Sequence, residues 1–226
     1  MDRLYIFDFD GTLSYTGDDI AESVRIIQKK YGAPVMDTQS ILASVGYGAR
    51  YLIANTVIEK LSEKNGENGA AGLEALSDAI YRDYLETYCE HSTDTSILYP
   101  GVKETLEKLA QRGDRIALFT NKPRRATDKM LGVFGIDRLF ELTVCPEDVT
   151  CRKPDPEGIL RCSVSTGIPL PKTIMIGDSA ADVDAGRAAG VTTLALLNGM
   201  GDRAALLSAG PDLTAETFED IPEMLF

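Results

Sequence analysis

Leu4-Tyr5-Ile6-Phe7-Asp8-Phe9-Asp10-Gly11-Thr12 decides how the rest of this chain is read. Four apolar residues run without a break into two carboxylates placed two positions apart. The apolar run reads as a buried strand, and alternate residues of a strand point the same way, so Asp8 and Asp10 leave the strand end on one side. Two unpaired charges there would be costly. A divalent cation or a reacting phosphate would offset that cost. Taken alone, the stretch is equally a strand that ends in a polar turn.

Outward from it, two textures alternate. Residues 1–13 and 98–226 pair short apolar strands with amphipathic helices. The strand candidates are Leu4–Phe9, Arg115–Thr120, Leu142–Cys145, Thr173–Ile176 and Thr192–Leu196. Helical patterns fall over Val102–Arg112, Arg124–Phe134 and Asp182–Ala189, the last stopped by Gly190. Alternation of this kind predicts an α/β fold, a doubly wound parallel sheet covered on both faces, with any active site at the carboxyl ends of the strands. Residues 14–97 are helical throughout. Ile20, Val24, Ile27 and Tyr31 make an apolar stripe that Gly32 and Pro34 terminate, and Ile41–Val45, Arg50–Leu61 and Leu73–Cys89 continue the pattern. Asn65–Gly72 reads as a loop between two of these helices. An α-helical cap domain over 14–97 is therefore expected to interrupt a core of 1–13 plus 98–226, with hinges at Ser14–Asp18 and Thr93–Gly101.

Three further stretches fall at predicted strand ends. Thr120-Asn121-Lys122-Pro123 offers a hydroxyl, an amide and a helix start, all able to donate to phosphate oxygens; a helix cap followed by proline is the plainer alternative. Lys153-Pro154 supplies a compact positive charge, or a solvated lysine. Gly177-Asp178-Ser179-Ala180-Ala181-Asp182 puts one carboxylate at a strand end and another a helical turn later. Asp182 is otherwise an ordinary acidic residue of a first helical turn. Parallel strands bring all four stretches to one edge, where four carboxylates would repel strongly unless a hard cation were present. Oxygen ligands without a Cys or His cluster favour Mg2+ over zinc. That reading requires Asp178 to lie within roughly 10 Å of Asp8, since one ion with ~2.1 Å ligand distances must reach both.

The totals narrow the partners. A length of 226 residues suffices for a core plus an insertion, and 44% hydrophobic with 26% charged residues is an ordinary composition for a globular protein. The formal net charge of −12 opposes binding to nucleic acid or an anionic membrane, so an anionic substrate needs a local concentration of cations. No apolar run approaches the ~20 residues of a membrane span. With the first strand so near the start, no signal peptide is expected, and a cytoplasmic location with reduced thiols is. Cys89, Cys145, Cys151 and Cys162 fit no zinc template, and Cys151 is expected to pack rather than react. The one histidine, His91, is expected on the surface.

In combination the four stretches resemble the motifs of the haloacid dehalogenase superfamily of phosphohydrolases, over residues 5 to about 200. The insertion, with Thr120-Asn121-Lys122-Pro123 and Val45-Gly46-Tyr47-Gly48, is similar to the subgroup that includes phosphoglycolate phosphatase. The resemblance implies a Mg2+-dependent phosphomonoester hydrolase acting on a small phosphorylated metabolite, as a monomer or homodimer. It implies Asp8 as nucleophile, Asp10 as general acid and base, and Mg2+ held by Asp8, the Asp10 backbone carbonyl and Asp178. It further implies Thr120, Asn121 and Lys153 on the phosphate, and Asp182 orienting Lys153 or a metal-bound water. Gly46 and Arg50 are the candidates for a substrate loop in the cap, Arg50 meeting a second anion such as a carboxylate; a turn before a helix, with Arg50 in solvent, is the equal alternative. Tyr15 and Thr16 stand where the family often has an acidic residue and a serine. A β-phosphoglucomutase-like sugar-phosphate mutase and an inorganic pyrophosphatase of the same fold are the alternatives, and a non-enzymatic binding module is a third.

Overall fold

The computed structural model of the protein describes residues 3–65 and 70–225. Strand β1 (Leu4–Phe7) is buried at every position, and β2 (Ser14–Tyr15) follows after a tight turn. Helix α1 (Gly17–Tyr31) buries Ile20, Val24 and Ile27 and stops where Gly32 takes the left-handed conformation at φ 74°. Then come α2 (Thr38–Leu42), capped by the Asp37 carboxylate, α3 (Ala49–Ile53), α4 (Glu59–Asn65) and α5 (Ala70–His91).

The predicted helix over Arg50–Leu61 is a broken one: a π-helical stretch, Ala54–Ile58, joins α3 to α4. Such a stretch releases a carbonyl from the ordinary ladder. The buried Gln28 of α1 supplies a donor, with its amide 2.9 Å from the Thr56 carbonyl oxygen. Of the predicted loop Asn65–Gly72, residues 66–69 lie outside the described residues, and Ala70–Gly72 already belong to α5.

The chain then runs through β3 (Ile97–Leu98), α6 (Val102–Gln111), β4 (Arg115–Phe119), α7 (Arg124–Phe134) and β5 (Leu142–Val144). It continues through α8 (Glu157–Thr166), β6 (Thr173–Gly177), α9 (Ala180–Ala189), β7 (Thr192–Leu196), α10 (Arg203–Ser208), β8 (Leu213–Ala215) and α11 (Ile221–Leu225). Six strands form a parallel sheet in the order β5-β4-β1-β6-β7-β8. β8 escaped the sequence reading because Leu213-Thr214-Ala215 is short and only Ala215 is buried.

Alternation along the strands sorts two packed layers. Tyr5, Phe7, Ile116, Leu118, Ile174 and Ile176 face α6, α7 and α11 through Leu106, Met130 and Ile221. Leu4, Ile6, Ala117, Phe119 and Met175 face α8 and α9 through Ile159, Cys162 and Ala185. The helices between β2 and β3 have an apolar cluster of their own, including Ile27, Ile41, Leu52, Val57, Ile80, Tyr84 and Tyr88.

Both crossings between the sheet and this insert lie in one two-stranded ribbon, with Ser14 opposite Leu98 and Tyr15 opposite Ile97. Beside it, the buried Asp19 accepts from the backbone N–H and hydroxyl of both Thr95 and Ser96, at 2.5–2.9 Å.

Candidate active site

Strand order builds the site. β1 lies between β4 and β6, and the sheet reverses its winding there, the position at which open parallel sheets present a crevice. Asp8 extends β1 by one residue, its N–H bonded to the Ile176 carbonyl at 2.9 Å. Thr120 directly follows β4 and Asp178 directly follows β6, so three neighbouring strand ends deliver three site residues.

Carboxylate oxygens of Asp8, Asp178 and Asp182 lie within 4.8 Å of one another, all three buried. Lys153, fully buried, reaches Asp8 Oδ1 at 2.9 Å and Asp182 Oδ1 at 2.6 Å. Asp182 Oδ2 accepts from the Ser179 N–H (3.0 Å) and hydroxyl (2.6 Å), a capping box at the start of α9. Both Asp182 oxygens are thus engaged by protein.

Asp178 Oδ1 accepts from Thr12 Oγ1 at 3.1 Å, and its Oδ2 accepts from the Met200 and Gly201 N–H groups at 2.7 and 3.0 Å. Gly11 and Gly199 make room for it. A Cβ at Gly11 would sit 2.0 Å from Asp178 Oδ2 on a backbone with φ +79°, and one at Gly199 would meet Asp178 Cβ at 2.2 Å. Burial, and after it the charges of Asp182 and Asp8, push the Asp178 carboxyl up to about 8. Asp182 is raised by burial and by Asp8, against Lys153. For Lys153, burial is outweighed by Asp182 and Asp8, and the ammonium is held above its ordinary value.

Three carboxylates faced by one ammonium leave the cluster short of positive charge. Its donors are hard oxygens only. The cluster therefore fits a hard divalent cation.

Asp10 lies apart from this cluster. Its Oδ1 accepts from Lys122 Nζ at 2.6 Å and from Thr16 Oγ1 at 2.8 Å, while no protein partner of Oδ2 is recorded among the described residues. Lys122 is the group the sequence reading passed over. It appeared only as the third residue of Thr120-Asn121-Lys122-Pro123, and one lysine, not two, was expected among the carboxylates. Its burial is what sequence alone does not display.

Asp8, Asp10, Thr120, Asn121, Lys122 and Pro123 line one side of a cavity of about 40 Å³. The insert supplies the other side: Ile20, Val45, Gly46, Gly48, Ala49, Leu52, Tyr84 and Tyr88. The Asn121 side chain stitches loops together, donating to the Gly46 carbonyl (2.8 Å) and the Lys153 carbonyl (3.0 Å) and accepting from the Lys153 N–H (3.1 Å).

Two expectations need correction. Arg50 does not line this cavity. Its guanidinium pairs with Asp78 at 2.9 Å, lies 4.1 Å over the Tyr81 ring and is 56% exposed, because the turn of α3 that admits Gly48 and Ala49 to the cavity carries the next residue outward. Cys151 does not pack: it is exposed, in a surface groove with Tyr47, Tyr51 and Arg152. His91 ends α5 and pairs with Asp94 at 2.7 Å on the surface.

Comparison with known proteins agrees with this arrangement. The family described as haloacid dehalogenase-like hydrolase matches residues 5–196. Phosphoglycolate phosphatase of Pseudomonas syringae pv. tomato is 32% identical over 197 residues, 87% of this chain and 70% of that protein. Phosphoglycolate phosphatase of Haemophilus influenzae is 30% identical over 223 residues, 99% and 98% of the two chains. A crystal structure of a "predicted phosphoglycolate phosphatase" from Haemophilus somnus superposes with a TM-score of 0.90 at 28% identity, covering 100% of this chain and 98% of that one. The chain belongs to the haloacid dehalogenase-like hydrolases. Within that family it is a phosphatase, its sheet and its relatives agreeing on the class.

Proposed function

We propose that this phosphatase hydrolyses a small phosphomonoester, phosphoglycolate or a compound like it, through a phosphorylated Asp8. The observation that carries the reading is the buried ion cluster at the centre of the sheet edge, in which Lys153 bridges Asp8 and Asp182 beside Asp178.

Lys153 neutralises Asp8 and holds it facing the cavity, so that one carboxylate oxygen attacks phosphorus in line while the ester oxygen leaves. Asp10 presents its unoccupied Oδ2 to the leaving oxygen and protonates it. The same oxygen then takes a proton from the water that splits the aspartyl-phosphate. Lys122 and Thr16 fix the other oxygen of Asp10, which keeps the proton-transferring one aimed. Thr120, lining the cavity, and the backbone of Asn121 donate to phosphate oxygens. Asp182, gripped by Ser179, positions Lys153.

Asp8 and Asp178, with the Asp10 carbonyl, are the groups that would hold Mg2+, which supplies charge neutralisation between the entering carboxylate and the phosphoryl oxygens. Residues 14–97 act as a cap that shuts water out of the cavity they roof.

Phosphate release from 2-phosphoglycolate with Mg2+ tests the proposal. Wild-type protein is expected to turn over, and Asp8→Asn to lose about a thousandfold or more in kcat. Absence of phosphate release across a panel of phosphomonoesters, or an active Asp8→Asn, would overturn it.

A further inference from the structure

Lys122 does more at the cavity than holding Asp10 requires. Its side chain has no exposure at all, and a fully buried lysine is uncommon and costly unless its charge is met. An ammonium carries three hydrogens. Asp10 Oδ1 takes one at 2.6 Å, and the Tyr88 phenol oxygen takes a second. No acceptor for the third is recorded among the described residues.

Among the described residues Lys122 is also the one cationic residue that lines the roofed cavity. Lys153 has two of its own donors committed to Asp8 and Asp182, and Arg50 is turned away onto Asp78. The Phe9 ring lies 5.4 Å and the Tyr88 ring 4.5 Å from the Lys122 ammonium, and Ile20, Val45 and Leu52 add apolar wall to the same cavity. A neutral alkyl group could be buried against those walls but would leave the third ammonium hydrogen without an acceptor. A small anion would complete the ammonium's donor set in a site of low dielectric, where a charge-assisted hydrogen bond is strongest.

We propose that Lys122 is the specificity-determining residue of this site, and that it receives a carboxylate at the leaving-group end of a two-carbon phosphomonoester. The inference rests on the phosphatase reading above and adds to it which end of the substrate is read, and by what. A carboxylate, with a single negative charge, matches the single ammonium in the cavity wall. A second phosphoryl group, more highly charged, would meet only this one cationic residue in the wall among the described residues.

Three substrates of matched length separate the possibilities: 2-phosphoglycolate with a carboxylate, ethyl phosphate with a neutral end, and phosphoethanolamine with a cationic end. Wild-type kcat/KM is expected to fall in that order, the first exceeding the second by about 10- to 100-fold, the worth of one charge-assisted hydrogen bond. Lys122→Met will slow all three, because Asp10 loses a partner, but it is expected to bring 2-phosphoglycolate and ethyl phosphate to within about threefold of each other. Lys122→Arg keeps the charge and is expected to retain part of the preference.

An equal loss on both substrates in Lys122→Met, with their ratio kept, would overturn the inference and leave Lys122 as a support for Asp10. A wild-type enzyme that hydrolyses ethyl phosphate as well as 2-phosphoglycolate would overturn it too, and this comparison stands even where the methionine variant does not fold. Failure of the wild type on these three while other phosphomonoesters are hydrolysed removes this inference alone, as does activity without preference; failure on every phosphomonoester removes the phosphatase reading with it.

Discussion

At the scale of single residues, environment separates groups that look identical on paper. Asp8, Asp178 and Asp182 share one buried knot with Lys153, whereas Asp10, two residues from Asp8, answers to a different lysine. The sequence showed the carboxylates and placed them at one edge, because strand ends can be counted from apolar runs. It did not show Lys122, because the pairing of β1 with β4 is what brings a residue after Thr120 to Asp10. It left Arg50 open between substrate and solvent, since no pattern in a short helix says which way its second residue turns, and the guanidinium lies on Asp78, half-exposed. The charge deficit around Asp178 predicts a thermal effect: 5 mM Mg2+ is expected to raise Tm by several degrees over protein kept in chelator, and Asp178→Asn to lose that increment, as read by calorimetry. A Tm indifferent to Mg2+ would count against the cation. The thiols give an independent check. Burial pushes Cys145 and Cys162 up to about 12, so only about one in ten thousand of each is thiolate at pH 8. Cys151 is exposed. A thiol reagent at pH 8 is expected to modify Cys151 within minutes and leave Cys145 and Cys162 unmodified until denaturant is added, as mass spectrometry would show.

At the scale of elements, five sheet strands and most helices were legible because the apolar period changes visibly between them. Short elements were not. β8 has three residues, and β2 and β3 have two each, lengths at which pairing partners and not local pattern decide the conformation. The π-helical stretch at Ala54–Ile58 needs a donor from another helix, Gln28 of α1, and so has no local signature. Contacts between elements carry two stability predictions. Gly158 in α8 lies against β4 so closely that an added Cβ would approach the Phe119 ring to 2.3 Å. Gly158→Ala is expected to cost about 1–3 kcal/mol in urea unfolding through overpacking. Asp19 is buried and ties α1 to Thr95 and Ser96 with four donors. Asp19→Ala strands those donors and is expected to cost about 2–4 kcal/mol in the same measurement. A loss below 0.5 kcal/mol in either variant would show that the contact is not made in solution.

At the scale of the whole molecule, charge and site oppose each other. The chain carries a formal net charge of −12, yet its cavity has a lysine in the wall and a second lysine in the adjoining cluster. An anionic substrate is repelled at a distance and attracted at contact, and salt screens the distant part first. Raising ionic strength from 10 to 150 mM is therefore expected to increase kcat/KM for 2-phosphoglycolate by about twofold, and a steep decrease would mean that the local cations govern the approach. The ribbon formed by Ser14–Tyr15 and Ile97–Leu98 has the last consequence. Because outgoing and returning chains are laced to each other by main-chain bonds, both covalent connections of the insert leave the core at one place, and ties elsewhere, such as Asn121 to Gly46 and Lys122 to Tyr88, are made by side chains.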